Sequence, residues 1–314
     1  MKYDVIIIGA GAAGLSAAIY TSRRNLKTLI LSEDIGGQAA MAGTIENFPG
    51  IEETTGPKLM TEFFSQAQKF GAEIKTEEVK SIIKQGEEFL VKTNTEEFQA
   101  PALILAFGLS HRHLNVPGEE KFIGQGVAYC ATCDAPLYKG KTVAVVGGGN
   151  SALDAALLLA KNSPKVYLIH RGDKFSGEAV LINQIQENPA VEVLFSAVIK
   201  EIQGDKSVEK ITIEQNNQSQ ELAVAGVFVE IGYEVKADFI KGLIKQDEKN
   251  QIIIDQDGKT SERGIFAAGD VTNISFKQVV ISAGEGAKAA LSAHKYLQSK
   301  SLTRGVFIDW GKKK

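Results

Sequence analysis

The sequence predicts an α/β protein built from two parallel-sheet units, each a sheet sandwiched between helices in three layers. Three observations carry this. Two apolar, β-branched runs, Asp4–Ile8 and Thr142–Val146, each end in a glycine-rich turn, Gly9-Ala10-Gly11-Ala12-Ala13-Gly14 and Gly147-Gly148-Gly149-Asn150-Ser151-Ala152. Each turn is followed by a helical pattern and then by another apolar strand, the order of a βαβ unit. A chain of 314 residues also exceeds what one hydrophobic core usually supports.

In the first turn, Gly9 permits the sharp reversal, Gly11 lets the backbone approach a pyrophosphate, and Gly14 lets the following helix pack closely on the strand. Leu15, Ala18, Ile19 and Ser22 share one face of that helix. Its N-terminal amides, from Ala12 onward, suit an anion. Both units are therefore Rossmann-like, and two of them imply two dinucleotides, or one dinucleotide and a relic site. Leu26–Leu31 is the second strand, and Glu33 just beyond it is the candidate ribose-binding carboxylate, weighed against an exposed loop glutamate. Gly36-Gly37-Gln38 and Ile45-Glu46-Asn47-Phe48-Pro49-Gly50 read as ordered loops. Residues 59–70 form an amphipathic helix, 73–94 a small antiparallel hairpin group, and 102–106 another buried strand.

Pro117-Gly118 breaks the pattern and marks a boundary near residue 115. In the second unit a helix over 152–161 leads to a strand over 166–169, strands and turns over 191–222, and an apolar strand that begins at Gly226. Near residue 243 the chain crosses back. A strand ending in Gly269-Asp270 follows, then a long helix from about Gln278 to Leu297. Gly284 and Gly286 lie inside that helix at about 1 kcal/mol each, which implies close approach to a sheet or to a ligand. A tail from Ser301 carries Phe307 and Trp310.

Cys130 and Cys133 are the only two cysteines. A Cys-x-x-Cys can be half a zinc site, a structural disulfide or a redox dithiol. Zinc needs further soft ligands, and the four histidines supply no second pair. A disulfide closing so short a loop removes little chain entropy. The redox reading is favoured. Net charge is −3, with both signs interspersed, which argues against nucleic acid as a partner. No apolar stretch reaches a membrane span. The expected compartment is the cytoplasm, where a dithiol is more often catalytic than structural.

Together, Gly9 to Gly14, Glu46-Asn47-Phe48-Pro49-Gly50, Cys130-Ala131-Thr132-Cys133-Asp134, Gly147 to Ala152, and Gly269-Asp270 with Lys277-Gln278 resemble the low-molecular-weight thioredoxin reductases over almost the whole chain. The resemblance implies a homodimeric flavoprotein. Its FAD domain, residues 1–115 and 244–314, would be discontinuous around an inserted NAD(P)H-type domain, 116–243. By position, Gly9, Gly11, Ala12 and Gly14 would hold the FAD pyrophosphate. Gly37, Gln38, Asn47, Gly269, Asp270, Lys277 and Gln278 would surround the rest of the cofactor. Cys133 would bond to the flavin, Cys130 would attack the disulfide of thioredoxin or a thioredoxin-like protein, and Asp134 would protonate the departing thiolate.

NADPH-using members carry His-Arg-Arg-x-x-x-Arg beyond the second unit's strand, where this chain has His170-Arg171-Gly172-Asp173-Lys174-Phe175-Ser176. Two of the three arginines that would clamp a 2′-phosphate are absent. At roughly 1.5–3 kcal/mol per charged contact, NADPH binding would weaken by roughly 10² or more. The donor stays open between NADPH or NADH, held by Gly147, Gly149, Asn150, Ser151, His170 and Arg171, and ferredoxin. A dithiol oxidase using O₂ is the alternative function. Phe307 or Trp310 covering the flavin is weighed against a tail packed elsewhere.

Overall fold

The computed structural model describes residues 1–42 and 44–300, with the backbone but not the side chain of Cys133. The chain divides into two compact units: Met1–Leu109 together with the chain from Val235 onward, and Ser110–Glu234. The crossings thus fall earlier than the expected 115/116 and 243/244. The stretch 113–118 belongs to the second unit because it is tied down there. Ile202 N–H donates to the Pro117 carbonyl at 2.9 Å, and a Cβ on Gly118 would stand 1.9 Å from the Ile202 carbonyl oxygen.

The first unit is built on a five-stranded parallel sheet in the order Ile265–Ala267, Ala102–Leu105, Val5–Ala10, Thr28–Ile35, Glu73–Thr76. Its central strand is buried along its full length, as the unbroken apolar run requires. Helix Ala12–Ser22 follows the glycine turn and packs against the last helix, Val279–Lys300. Gly286 is what allows this: a Cβ there would lie 2.0 Å from the Ala13 carbonyl oxygen, whereas Gly284 faces open space. The close approach is therefore helix on helix, at one of the two glycines.

Two elements depart from expectation. Glu73–Thr76 joins the parallel sheet as an edge strand, and the antiparallel group is Val79–Gln85, Glu88–Thr93 and Glu97–Ala100. Four half-exposed residues carry no apolar run that would distinguish a sheet edge from a hairpin arm. The second strand runs on to Ile35, its last three residues exposed.

The second unit repeats the plan. Its parallel sheet runs Val191–Leu194, Val166–Ile169, Val143–Val146, Gly226–Val229, Val127–Ala128. Beside it lies the antiparallel group Ala197–Gln203, Lys210–Gln215, Gln218–Ala223. Helix Asn150–Ala160 follows the second glycine turn. Helix Ala179–Glu187 was not expected; it buries only Ile185 fully, with Leu181 and Ile182 packed beside it. No described helix is long and apolar enough to cross a membrane.

Candidate active site

In the first unit, Gly9 sits at φ +104°, and a Cβ on it would stand 2.3 Å from the Ala106 carbonyl oxygen. A Cβ on Gly14 would stand 1.8 Å from the Gly9 carbonyl oxygen, so strand, turn and helix close on one another without room for a side chain. Gly11 and Gly37 differ. A Cβ on Gly11 would meet nothing nearer than the Gly36 carbonyl oxygen at 4.0 Å, and one on Gly37 nothing nearer than Gly11 Cα at 3.5 Å. The turn therefore opens onto a cradle walled by backbone. The amide of Ala10 donates to Ser32 Oγ at 3.0 Å, and that of Gly37 to Asp34 Oδ1 at 3.0 Å. Glu33, the expected ribose ligand, is exposed on the strand between them.

The loop around Asn47 is pinned by paired amides, Ile45 to Thr54 at 2.8 Å and Thr54 to Ile45 at 3.1 Å, and by Phe48 packed on Phe63. Asn47 Nδ2 donates to Gln278 Oε1 at 3.2 Å, which joins two residues far apart in the chain. Gln278 directly precedes the last helix, and its carbonyl accepts the Ser282 amide. Gly269 adopts φ +77°. Asp270 Oδ1 accepts Ser282 Oγ at 3.0 Å, while Lys277 Nζ donates to the carbonyls of Asp270 and Thr272 at 3.0 and 2.7 Å. Burial holds the Lys277 ammonium below its ordinary pKa. Gln38 lies in the short helix Gly37–Ala40 beside the cradle.

In the second unit, Cys130 is disulfide-bonded and precedes a one-turn helix, Ala131–Asp134. The Cys133 side chain lies outside the described residues. Burial raises the Asp134 carboxyl above the ordinary range, which favours a protonated acid next to the cysteines.

Tyr129, directly before Cys130, donates its hydroxyl to Glu119 Oε1 at 2.8 Å and lies 2.7 Å from His113 Nδ1, which then carries the proton between them. Glu119 is only 3% exposed and also accepts the amides of Leu114 and Asn115 at 2.8 and 2.7 Å. Burial, then Glu119, pushes the Tyr129 phenol far above its usual range.

The second glycine turn has Gly147 at φ +152°, where a Cβ would stand 2.3 Å from the Glu230 carbonyl oxygen. Gly149 is open, a Cβ there reaching only Ser176 Oγ at 3.9 Å. Asn150 exchanges hydrogen bonds with Glu178, side chain to side chain at 2.9 Å and Glu178 amide to Asn150 Oδ1 at 2.8 Å. Ser151 and Arg171 are exposed. The His170 ring lies over Gly148, whose Cβ would stand 2.3 Å from it. At the two positions that lack arginine, Ser176 gives both its amide and its hydroxyl to the Gly148 carbonyl, and a Cβ on Gly172 would lie 2.8 Å from His170 Nε2.

Residues 3–288 match the pyridine nucleotide-disulphide oxidoreductase family. Thioredoxin reductase of Bacillus subtilis is 39% identical over 305 residues, 96% of this chain and 96% of its own. The chain belongs to this family, among its low-molecular-weight thioredoxin reductases. Thioredoxin reductase of Lactococcus lactis superposes with a TM-score of 0.80 at 35% identity, covering 95% of this chain and 99% of that one. One component of the alkyl hydroperoxide reductase of Pseudomonas putida is 40% identical over 304 residues, 94% of this chain, which spans 58% of that protein.

As a family member the protein is an oxidoreductase that uses FAD. The open backbone cradle at Gly11 and Gly37, with free space where side chains would otherwise stand, fits the phosphates of such a group. The sequence reading missed Glu119 and Glu230. Glu119 carries no local signal, since it lies in a loop. Glu230 does, as the one acidic residue in the apolar run from Val227 to Ile231.

Proposed function

We propose that the protein reduces the disulfide of thioredoxin or a thioredoxin-like protein through its Cys130–Cys133 pair. The observation that carries this is the one-turn helix Ala131–Asp134, which sets a disulfide-bonded Cys130 beside a carboxyl whose burial favours its protonated form. FAD, when bound, supplies the two-electron carrier between the donor and this pair. Gly9, Gly11, Ala12 and Gly14 hold its pyrophosphate, with Gly37 and Gln38 on the cradle wall. Asn47 and Gln278 fix one another at the start of the last helix, where the N-terminal dipole favours negative charge on a bound ring. Lys277 and Ser282 hold Gly269-Asp270 in place.

Cys130 is the nucleophile toward the partner disulfide, because an attacking thiol works best as a thiolate with a pKa near ambient pH. Asp134 delivers a proton to the sulfur that leaves. The Glu119–Tyr129–His113 cluster anchors the backbone on the N-terminal side of Cys130.

The electron donor is a nicotinamide dinucleotide, taken with weakened preference for the 2′-phosphate. The open Gly149 and the helix behind it support a nucleotide there. A second reading, reduced ferredoxin, is favoured by Gly172 and Ser176, which leave a 2′-phosphate without two of its cationic partners. Anaerobic titration of the holoenzyme with NADPH, NADH and reduced ferredoxin, followed by flavin bleaching, separates them. Bleaching by ferredoxin alone overturns the first reading, and micromolar NADPH overturns the second. Turnover of an oxidised thioredoxin tests the acceptor, and a C130S variant that still turns it over would sink the dithiol role.

A further inference from the structure

Glu230 belongs neither to the glycine turns nor to the Cys130–Asp134 segment. It stands one residue beyond strand Gly226–Val229, and its backbone is held on both sides. Its amide donates to the Val146 carbonyl at 2.8 Å, and its own carbonyl lies under Gly147. That strand pairs in parallel with Val127–Ala128, the last pair being Phe228 opposite Ala128, so both chains run on from a common register, one to Glu230 and the other to Cys130. There its carboxylate accepts the amide of Ala131. Ala131 is 5% exposed, so little water is available to replace that acceptor.

We propose that Glu230 is a positioning residue for the redox pair: it holds the first amide after Cys130 and takes up a proton when the disulfide is reduced.

Reduction breaks the S–S bond with two electrons, supplied by normal turnover. With one proton from solvent it leaves one thiol and one thiolate. An anionic carboxylate beside a new thiolate is unfavourable, so Glu230 binds a second solvent proton and releases it on reoxidation. Burial already pushes the Glu230 carboxyl up to about 7, opposed only by the Ala131 amide. Asp134, which ends the one-turn helix begun by Ala131, is the ionisable group nearest that amide in the chain, and no neighbouring charge contributes to the rise. Sheet register, a hydrogen bond to the amide of a buried residue, and a carboxyl poised in the working pH range thus meet at one residue.

The proton uptake rests on the dithiol role proposed above, and the experiment separates the two. The holoenzyme, E230Q and E230A are equilibrated in thiol–disulfide buffers between about pH 5.5 and 8.5, and free thiols are trapped by alkylation and counted by mass. The wild-type to E230Q ratio of reduction equilibrium constants should be constant at low pH and fall by up to about tenfold above pH 7. E230Q keeps an acceptor for Ala131 and loses the proton. E230A should lose both, with a further pH-independent change that E230Q lacks. Parallel wild-type and E230Q curves overturn the proposal and leave the dithiol role standing. A wild-type protein with no reducible pair in any buffer overturns both.

Discussion

The Tyr129 hydroxyl donates to Glu119 at 2.8 Å, and the same carboxylate takes the amides of Leu114 and Asn115. One almost fully buried carboxylate thus gathers three donors on the approach to Cys130. Glu119→Ala leaves the amides of Leu114 and Asn115 without their acceptor in a site that water reaches poorly, and leaves the Tyr129 hydroxyl with His113 Nδ1 alone. It should destabilise the second unit by about 3 kcal/mol or more, and Tyr129→Phe by about 1 kcal/mol. Hydrogen exchange at the Leu114 and Asn115 amides checks this locally. Unchanged protection in Glu119→Ala would show that the carboxylate is not what holds the segment.

The Glu230 carboxyl is raised from an unfolded value of 4.5 to about 7, chiefly by burial. A group whose folded pKa is raised contributes stability that is fully present below the unfolded value. That contribution is lost as pH climbs through the folded one. Glu230 should therefore weaken the fold progressively from pH 4.5 to above 7. E230Q should melt with the wild type near pH 4.5 and above it at pH 8, measured by thermal unfolding of the second unit. A melting difference that does not change with pH would contradict the burial argument.

Gly14 and Gly11 share one turn and face different surroundings. A Cβ on Gly14 collides with the Gly9 carbonyl oxygen at 1.8 Å, so Gly14→Ala must push helix from strand at a cost of about 1–3 kcal/mol. A Cβ on Gly11 enters open space, so Gly11→Ala should fold as the parent does and bind FAD less well. Visible absorbance per mole of purified protein, read beside the melting temperature, distinguishes them. Full flavin content in Gly11→Ala would mean that the cradle is not the pyrophosphate site.

Much of this architecture is legible in the sequence because it is local. Val5–Ile8 and Val143–Val146 are uninterrupted buried runs that end in glycines, and the backbone at Gly9 and Gly147 has a positive φ. Edge elements are less legible. Glu73–Thr76 gains its place from pairing with Leu29–Ser32, and its own four residues do not carry the signal. At the site, Cys130 and Asp134 announce themselves by spacing. Glu230 reaches Ala131 only through the register of Phe228 on Ala128, which no window along the chain contains. Glu119 and Tyr129 likewise meet across a loop and a strand.

Ser176 gives its amide and hydroxyl to the Gly148 carbonyl, at 2.8 and 3.2 Å, in the place where NADPH-using relatives are expected to carry an arginine. Substituting Arg at this position removes the hydroxyl bond and keeps the amide, so the turn retains its main tether. A guanidinium there adds a charge-assisted contact to a 2′-phosphate worth roughly 1.5–3 kcal/mol, or about tenfold to a hundredfold in affinity. Ser176→Arg should therefore lower the NADPH concentration needed to bleach the flavin by about tenfold and leave NADH unaffected. Gly172→Arg should gain less. Its Cβ would stand 2.8 Å from His170 Nε2, so the ring must move before the arginine can settle. If Ser176→Arg responds to NADPH as the parent does, the second turn does not carry a dinucleotide in the register assumed, and the ferredoxin reading becomes the stronger one.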